Sequence, residues 1–403
     1  MYKHFKNTGV YLSLALAVCI SNIANSKEQT LTWVESQINK DPEVIEARER
    51  LKASDYRAKS LTQAVYNPDF NASFEREGDF NNYSIGLSQT IDVWGVRSAN
   101  TSLGEIEFYE TQQGLLELLA NKKANALKAI IIWQAAKEAS QLSTEREKQL
   151  QTLLNIVEDK REVGVIEPLD AELVYLNLTQ VFNQISEYQA ALKDAEVKVK
   201  ELLPDWSPEL QEGLSFAFNI ENYSFRKEWI ELHPLVRLAK AQWHKQKLKA
   251  ELTSINTKAN PNIGINIGKN NDENIVGLEF SMPLNIRNNY FDSIRAANQE
   301  VIAAEAKYQS IYRKQFFDAQ AKLEVLLTNK KYLGRWQNLM QNRLDNSLDL
   351  LNARWKAGDI STSDYLIAFS QRTEGLLSGI QLKKKFKLSE ISFVRSIGQI
   401  SKF

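Results

Sequence analysis

The feature that most constrains this chain is an internal repeat with a period of about 193 residues. Each copy shows the signs of a helix, two short alternating strands, a very long helix, a glycine turn and another long helix. Landmarks recur at offsets of 192 to 194 residues: Pro42 and Pro234, Pro68 and Pro261, residues 85–93 and 278–286, and Gly164 and Gly358. The repeat predicts two copies of one large structural unit, residues 27–210 and residues 211–403.

The composition of the 403-residue chain excludes two classes of protein. Charged residues make up 25% and hydrophobic residues 43%, and the mean hydropathy is −0.39. These values exclude a polytopic helical membrane protein. The 50 basic and 50 acidic residues give a formal charge of zero. The sequence has no clustered excess of basic residues, which argues against nucleic acid as the main partner.

Residues 1–26 have the features of a secretory signal peptide. Lys3 and Lys6 form a positive start, and the apolar run 10–20 follows them. That run is too short to span a bilayer, which needs about 20 residues. The only cysteine, Cys19, stands in a Leu-Ala-Val-Cys sequence that resembles a lipoprotein acylation site. The signal peptide is either removed by simple cleavage or processed as a lipoprotein signal with acylation of Cys19.

Two long tracts without proline predict two very long helices. No proline falls between Pro68 and Pro168, and none follows Pro283. Because proline destabilises a helix interior by about 3 kcal/mol, such tracts permit uninterrupted helices. Apolar residues recur there at spacings of three and four. We expect helices over residues 97–163 and 290–356.

Each long helix is followed by the signs of a helical hairpin. Gly164 and Gly358 suit the left-handed position that closes a helix. Pro168 fits the first turn of the first return helix. Ser361 can cap the second return helix, with Asp364 three residues on in a capping-box arrangement. The tips are either plain turns of an antiparallel coiled coil or docking points for a partner.

Four segments alternate between apolar and polar residues, which is typical of strands with two unlike faces. They are residues 69–75, 83–88, 262–268 and 276–282. The polar stretches 76–82 and 269–274 are predicted to be hairpin loops. We expect the strands to be isolated, and they are slightly shorter than the roughly nine to eleven residues that cross a bilayer.

The apolar strand faces are either covered by helices in a soluble protein or exposed to lipid. A membrane does not tolerate open strand edges. Four strands per chain close no barrel of useful diameter, whereas three chains supply twelve strands. Four aromatic residues flank the strands and are candidates for interfacial girdles: Tyr66, Phe80, Trp94 and Tyr290.

Neither an enzyme nor a metal site is predicted. Outside the signal peptide the histidines are His233 and His244, which on one helix would lie about 16 Å apart. They cannot share an ion without other ligands, and His233 before Pro234 more plausibly begins a helix. The chain has no glycine-rich phosphate loop and no nucleophile elbow. We expect no cofactor.

Several short motifs resemble the TolC family of outer-membrane efflux ducts, and the resemblance extends over both copies. The motifs are Leu31-Thr32-Trp33, Asn39-Lys40-Asp41-Pro42-Glu43, Asn67-Pro68-Asp69-Phe70, residues 87–97 and the two tips. The part from Gln89 to Arg97 resembles the branch that serves cobalt–zinc–cadmium cation efflux. That branch implies heavy-metal cations as cargo and a role in heavy-metal resistance.

The resemblance implies an α+β membrane protein in the outer membrane of a Gram-negative bacterium. Three copies would form a 12-stranded β-barrel that is continued by an α-helical barrel in the periplasm. Such a duct conducts passively and catalyses nothing. Its implied partners are two further copies, a periplasmic adaptor (membrane fusion protein), a proton-driven inner-membrane pump of the resistance-nodulation-division type, and outer-membrane lipid.

The resemblance also implies roles for residues at the tips. The adaptor contacts would be Gly164, Val165, Ile166, Gly358, Asp359 and Ile360. Asp364, and more loosely Asp170, match the acidic position after the turn that narrows the periplasmic mouth. Ile367 stands where some relatives have a second acid. Asp364 is either this gate or only a helix-capping charge. The alternative function is a periplasmic coiled-coil adaptor or structural protein without a pore.

Overall fold

A computed structural model describes residues 31–164, 167–211, 225–271, 273–340 and 347–400. The predicted signal peptide with Cys19 lies outside the described residues, as do the tip residues Val165 and Ile166. So does most of the stretch from Pro204 to Phe225 that joins the repeats.

The helices follow the predicted order. In the first repeat residues 31–38 are helical, followed by α1 (Pro42–Leu61), α2 (Val96–Glu162), α3 (Pro168–Leu202) and a 3-10 turn (Pro208–Gln211). The second repeat contains α4 (Lys227–Glu231), α5 (Pro234–Asn256), α6 (Phe291–Met340), α7 (Ser347–Ala357) and α8 (Thr362–Ser396).

The first long helix is confirmed to within one residue at each end, because α2 covers 67 residues. Its counterpart in the second repeat is described as α6 and α7, with residues 341–346 between them outside the description. No helix within the described part of the chain has both the length and the apolar character that a bilayer crossing requires.

The four strands are longer than predicted. They are β1 (Asp69–Glu77), β2 (Phe80–Thr90), β3 (Asn262–Asn270) and β4 (Glu273–Ser281). Residues 76–82 and 269–274 are therefore not loops, because most of them pair in the ladders and each hairpin turns over two residues. Lengths of nine to eleven residues match what a tilted strand needs to cross a bilayer.

The strands are not isolated, which corrects a second expectation. They form one sheet in the order β1-β2-β3-β4, and every neighbouring pair is antiparallel. The central pairing of β2 with β3 joins the two repeats, with Leu87 opposite Ile265. Strands β1 and β4 form the two edges, and each has one neighbour in the described sheet.

The chain divides into two compact units, each made of segments distant in sequence. The sheet unit comprises Pro42–Leu118 and Ile230–Gln315. Its helices α1 and α2 pack closely where Gly104 meets Ala58. A Cβ on Gly104 would lie only 2.9 Å from the Cα of Ala58, so the close approach depends on the small residue.

The tip unit comprises Met1–Asp41, Leu119–Trp229 and Phe316–Phe403. Both repeats contribute to its hydrophobic core, which contains Leu150, Leu153, Leu154, Val157, Val174, Leu178, Val181, Trp355, Tyr365, Leu366 and Phe369. In the same unit Trp206, just before the 3-10 turn, packs edge-on against Trp133 with ring centroids 5.0 Å apart.

Candidate functional site

The first helical hairpin turns at Gly164, directly after α2. Its φ of 75° is left-handed, and its N–H donates to the carbonyl of Arg161 at 3.0 Å. Pro168 stands in the first turn of α3. Backbone N–H groups in a first turn have no acceptor within the helix, so the N–H that proline lacks costs no helical hydrogen bond. The glycine and proline therefore act as predicted. Of the adaptor contacts proposed for this turn, Val165 and Ile166 lie outside the described residues.

The second hairpin turns at Gly358, whose φ is 80°. The Gly358 N–H donates to the carbonyl of Trp355 at 3.1 Å, and the Asp359 N–H donates to that of Arg354 at 2.9 Å. These two bonds form a Schellman motif, which satisfies the last carbonyls of α7. Asp359 is exposed, whereas Ile360 packs partly against the core of the tip unit.

Asp364 lies exposed in the first turn of α8. Its backbone N–H donates to the Ser361 hydroxyl at 3.0 Å, and that hydroxyl donates to the Asp364 carboxylate at 2.8 Å. Ser361 therefore caps α8 as predicted, and the Asp364 carboxylate is exposed at the surface. Asp170 holds the same first-turn position in α3. Ile367, one turn beyond Asp364, is an exposed apolar residue.

An aromatic cluster fastens the second tip to the first repeat. Buried Trp355 donates from its indole N–H to Thr362 at 3.3 Å, and its ring lies 5.3 Å from that of Tyr365. Tyr365 stacks on Phe369 at 6.0 Å, and burial raises the pKa of Tyr365. From α2, the Lys160 ammonium lies 4.9 Å from the centre of the Trp355 ring. This cluster was not predicted, although its aromatic residues flank the turn in sequence.

A buried cation joins three helices of the tip unit. Arg146 of α2 is 6% exposed. Its guanidinium donates to Gln184 of α3 at 2.7 Å and to Ser370 of α8 at 3.1 Å. Burial lowers the pKa of Arg146, and the charge of Glu374 opposes that shift. Because α8 belongs to the second repeat, Arg146 connects the two helical hairpins, a role that spacing along one helix could not reveal.

The sheet has one strongly apolar face. Residues paired directly across antiparallel strands share a face, so the register places all of these large side chains together: Phe70, Phe74, Tyr83, Ile85, Leu87, Ile263, Ile265, Ile267, Val276, Leu278 and Phe280. All are exposed, and Leu278 is 86% exposed. The alternative in which the chain's own helices cover this face is therefore wrong.

The opposite face is polar and made mostly of small residues. Ser73 and Ser84 share a hydrogen bond at 2.7 Å, and a Cβ on Gly277 would overlap the amide oxygen of Asn266. Among the described side chains of this face there is no Lys or Arg. Its charged residues are all acids: Asp69, Glu75, Glu273 and Glu279.

The stretch 89–97 that resembles the cation-efflux branch makes the passage from strand to helix. The carboxylate of Asp92 accepts from the N–H groups of the first two residues of α2, at 2.9 and 2.8 Å. Gly95 has a φ of 76°. The indole N–H of Trp94 donates to the backbone of the neighbouring repeat at 2.7 Å. Local structure thus accounts for three residue types of this stretch: Asp92 caps a helix, Gly95 makes a left-handed turn, and Trp94 donates a hydrogen bond.

No group of three or more His, Cys, Asp and Glu in the described ranges is placed to hold a metal ion. His233 is buried and caps α5, because its Nδ1 accepts from the Leu235 N–H at 3.1 Å. It begins a helix as predicted. Burial lowers the pKa of His244, which lies within the same helix.

Comparison with known proteins gives a family for the first repeat and a fold for the whole chain. Residues 33–204 match the family model described as "Outer membrane efflux protein". No curated protein sequence matches the chain significantly.

Several solved structures share the fold. With CusC the TM-score is 0.75 at 13% identity, over 91% of this chain and 92% of that one. With the outer-membrane channel OprN it is 0.78 at 13% identity, over 92% and 90%. With the CmeC outer membrane channel of Campylobacter jejuni it is 0.74 at 13% identity, over 91% and 85%.

At these identities the solved structures show only the fold, whereas the family model matches the sequence of the first repeat. The second repeat has the same element order as the first and contributes half of the shared sheet. Together these findings show that residues 33–204 match the outer membrane efflux protein family and that the whole chain has the fold of solved outer-membrane channels.

Proposed function

We propose that three copies of this chain form a passive exit duct in the outer membrane. The duct receives cargo from an inner-membrane pump through a periplasmic adaptor and releases it outside the cell. The observation that carries this proposal is the four-stranded sheet with one exposed apolar face, one polar face and two open edges.

The open edges explain why identical copies are needed. An unpaired strand edge in hydrocarbon leaves N–H and C=O groups without partners, each at a cost of several kcal/mol. Because β1 and β4 run in opposite directions in a four-stranded antiparallel sheet, β4 of one copy can pair antiparallel with β1 of the next. Three copies then close a barrel of twelve strands, within the range of outer-membrane barrels.

The apolar face would contact lipid and the polar face would line the duct. The acids of the polar face favour passage of cations, since a lumen lined by one sign of charge concentrates the opposite sign. This charge and the resemblance of residues 89–97 support metal cations as cargo, carried without a coordination site in the duct.

The two helical tips are the surfaces that we assign to the adaptor. Gly358 and Asp359 are exposed at the second turn, where they are open to a partner. Asp364, beside them, would narrow the periplasmic mouth with a ring of three carboxylates. An acid that caps its own helix can also face an axis, so both roles of Asp364 fit one carboxylate.

Outer-membrane fractionation followed by planar-bilayer recording tests the proposal. We expect the protein in the outer-membrane fraction, as a trimer that resists mild SDS and conducts cations better than anions. Export of zinc, cobalt or cadmium by cells with the matching pump would identify the cargo.

The competing function, a periplasmic coiled-coil adaptor or structural protein without a pore, predicts a different result. That protein would be a soluble periplasmic monomer with no conductance. Finding it would overturn the duct.

A further inference from the structure

One exposed surface outside the tips and the sheet combines apolar side chains with cations. It lies in the sheet unit, where the strands pass into the helices, and we call it the collar. Its apolar members are between 40% and 87% exposed: Ile91, Val93, Trp94, Met282, Leu284 and Ile286. A concentration of exposed apolar side chains is typical of a contact with lipid or with another protein.

The collar continues the apolar face of the sheet. The N–H of Ile91 donates to the carbonyl of Pro261 at 2.8 Å, so the ladder extends one residue beyond β2 and Ile91 keeps the alternation of that face. Met282 and Leu284 follow Phe280 at intervals of two residues. The collar is therefore continuous in sequence with the apolar face that would contact the membrane.

Two cations stand beside these apolar residues. The Lys258 ammonium lies 4.6 Å from the centre of the Trp94 ring, and the Trp94 indole is fixed by its hydrogen bond to the carbonyl of Ala259 at 2.7 Å. Arg287 follows Ile286 and is exposed. Over the described ranges neither Lys258 nor Arg287 takes part in a salt bridge.

Two acids that neighbour the collar in sequence, Asp92 and Asp292, already have partners. Both carboxylate oxygens of Asp92 accept from backbone N–H groups at the start of α2. Asp292 faces Arg295 at 3.9 Å, and Arg295 also lies over the ring of Phe291. The collar thus presents two cations without a salt bridge among the described residues beside apolar side chains. An indole lies at the boundary, and tryptophan favours the interface of a bilayer.

We propose that the collar binds anionic phospholipids of the periplasmic leaflet. In the proposed duct the long helices extend into the periplasm, so the strand ends that continue into them would lie on the periplasmic side. The apolar collar residues would contact the upper acyl chains, while Lys258 and Arg287 would contact the headgroup phosphate. The inference rests on the proposed contact of the sheet's apolar face with the outer membrane, and not on the adaptor or the cargo.

Native mass spectrometry of the full-length protein in nanodiscs tests the charge. The nanodiscs contain equal amounts of phosphatidylcholine and phosphatidylglycerol with identical acyl chains. We expect the wild type to retain phosphatidylglycerol preferentially. The double variant Lys258→Gln/Arg287→Gln should lower this preference by about 25-fold, since each cation near an anionic surface contributes about fivefold. Lys193→Gln/Lys198→Gln, which removes two exposed cations of α3, is the matched control. Equal retention by the wild type and the collar variant would overturn the proposal.

A second measurement distinguishes lipid from another copy of the chain as the occupant. A fluorophore attached at Ile286→Cys, in a chain that also carries Cys19→Ser, should be quenched by brominated phospholipids in the same nanodiscs. A fluorophore that is shielded from them, and that cross-links to a neighbouring copy, would show that the collar is a protein–protein contact and would exclude the lipid assignment.

Discussion

Substitution of two adjacent residues of β4 tests which face of the sheet contacts the membrane. Leu278 is exposed on the apolar face and pairs with Ile265, whereas Glu279 is on the polar face and pairs with Gly264. Leu278 lies one residue from the middle of a nine-residue strand, which is about 3 Å from the centre. An arginine on the lipid face near the midplane destabilises a barrel by about 2–4 kcal/mol. For three copies, Leu278→Arg should therefore lower the stability of the trimer by roughly 6–12 kcal/mol.

The matched control is Glu279→Arg, which places the same side chain one residue further along the strand and on the other face. We expect this variant to reach the outer membrane and to form an SDS-resistant trimer at nearly the wild-type level, with weaker preference for cations. Leu278→Arg should yield little trimer, and its denaturant midpoint in lipid vesicles should fall. If both variants assemble equally well, or if Glu279→Arg is the more damaging, the assignment of the two faces is incorrect.

Three further predictions concern the tips and the tip unit. Asp364→Ala should raise the single-channel conductance and weaken block by multivalent cations; unchanged conductance and block would remove Asp364 from the gate. Gly358→Val should reduce export with normal protein levels in the outer membrane, since a β-branched residue resists a φ of 80°, and normal export would contradict the tip assignment. A Cβ on Gly379 would overlap the Trp336 ring, so Gly379→Ala should destabilise the protein by about 1–3 kcal/mol in thermal unfolding. Gly334→Ala, with no atom near its Cβ, should instead stabilise α6 by up to about 1 kcal/mol, and similar shifts for the two variants would refute the steric argument.

The sequence carried enough information for the helical hairpins because their signals are local. Gly164, Gly358 and Ser361 each act on the backbone within a few residues, so spacing alone located both turns and one cap. Proline-free length likewise predicted α2 to within a residue at each end.

The strand ends were missed because their side chains are polar on both faces. Arg76 pairs with Asn81, and Lys269 pairs with Asn274, so the apolar alternation stops there while the backbone ladder continues. The pairing of β2 with β3 could not be predicted because the paired residues are separated by more than 170 residues in sequence. Alternation along each strand does not fix the register between them.

The candidate site was predictable only in part. The capping role of Asp364 follows from local spacing, whereas its role at the mouth depends on copies of the chain that spacing cannot place. The Trp355 cluster and buried Arg146 depend on contacts between the two repeats. Their residue types also occur on solvated helix faces, so nothing in the sequence distinguished them.

The two-residue turns between β1 and β2 and between β3 and β4 leave almost no polypeptide beyond the outer end of the sheet. In the proposed duct the described residues would therefore form no plug and no long loop at the external opening. Antibodies and bacteriophages would find few surface segments to recognise there. Protection against inward leakage of toxic compounds would then depend on the opposite, periplasmic end of the protein.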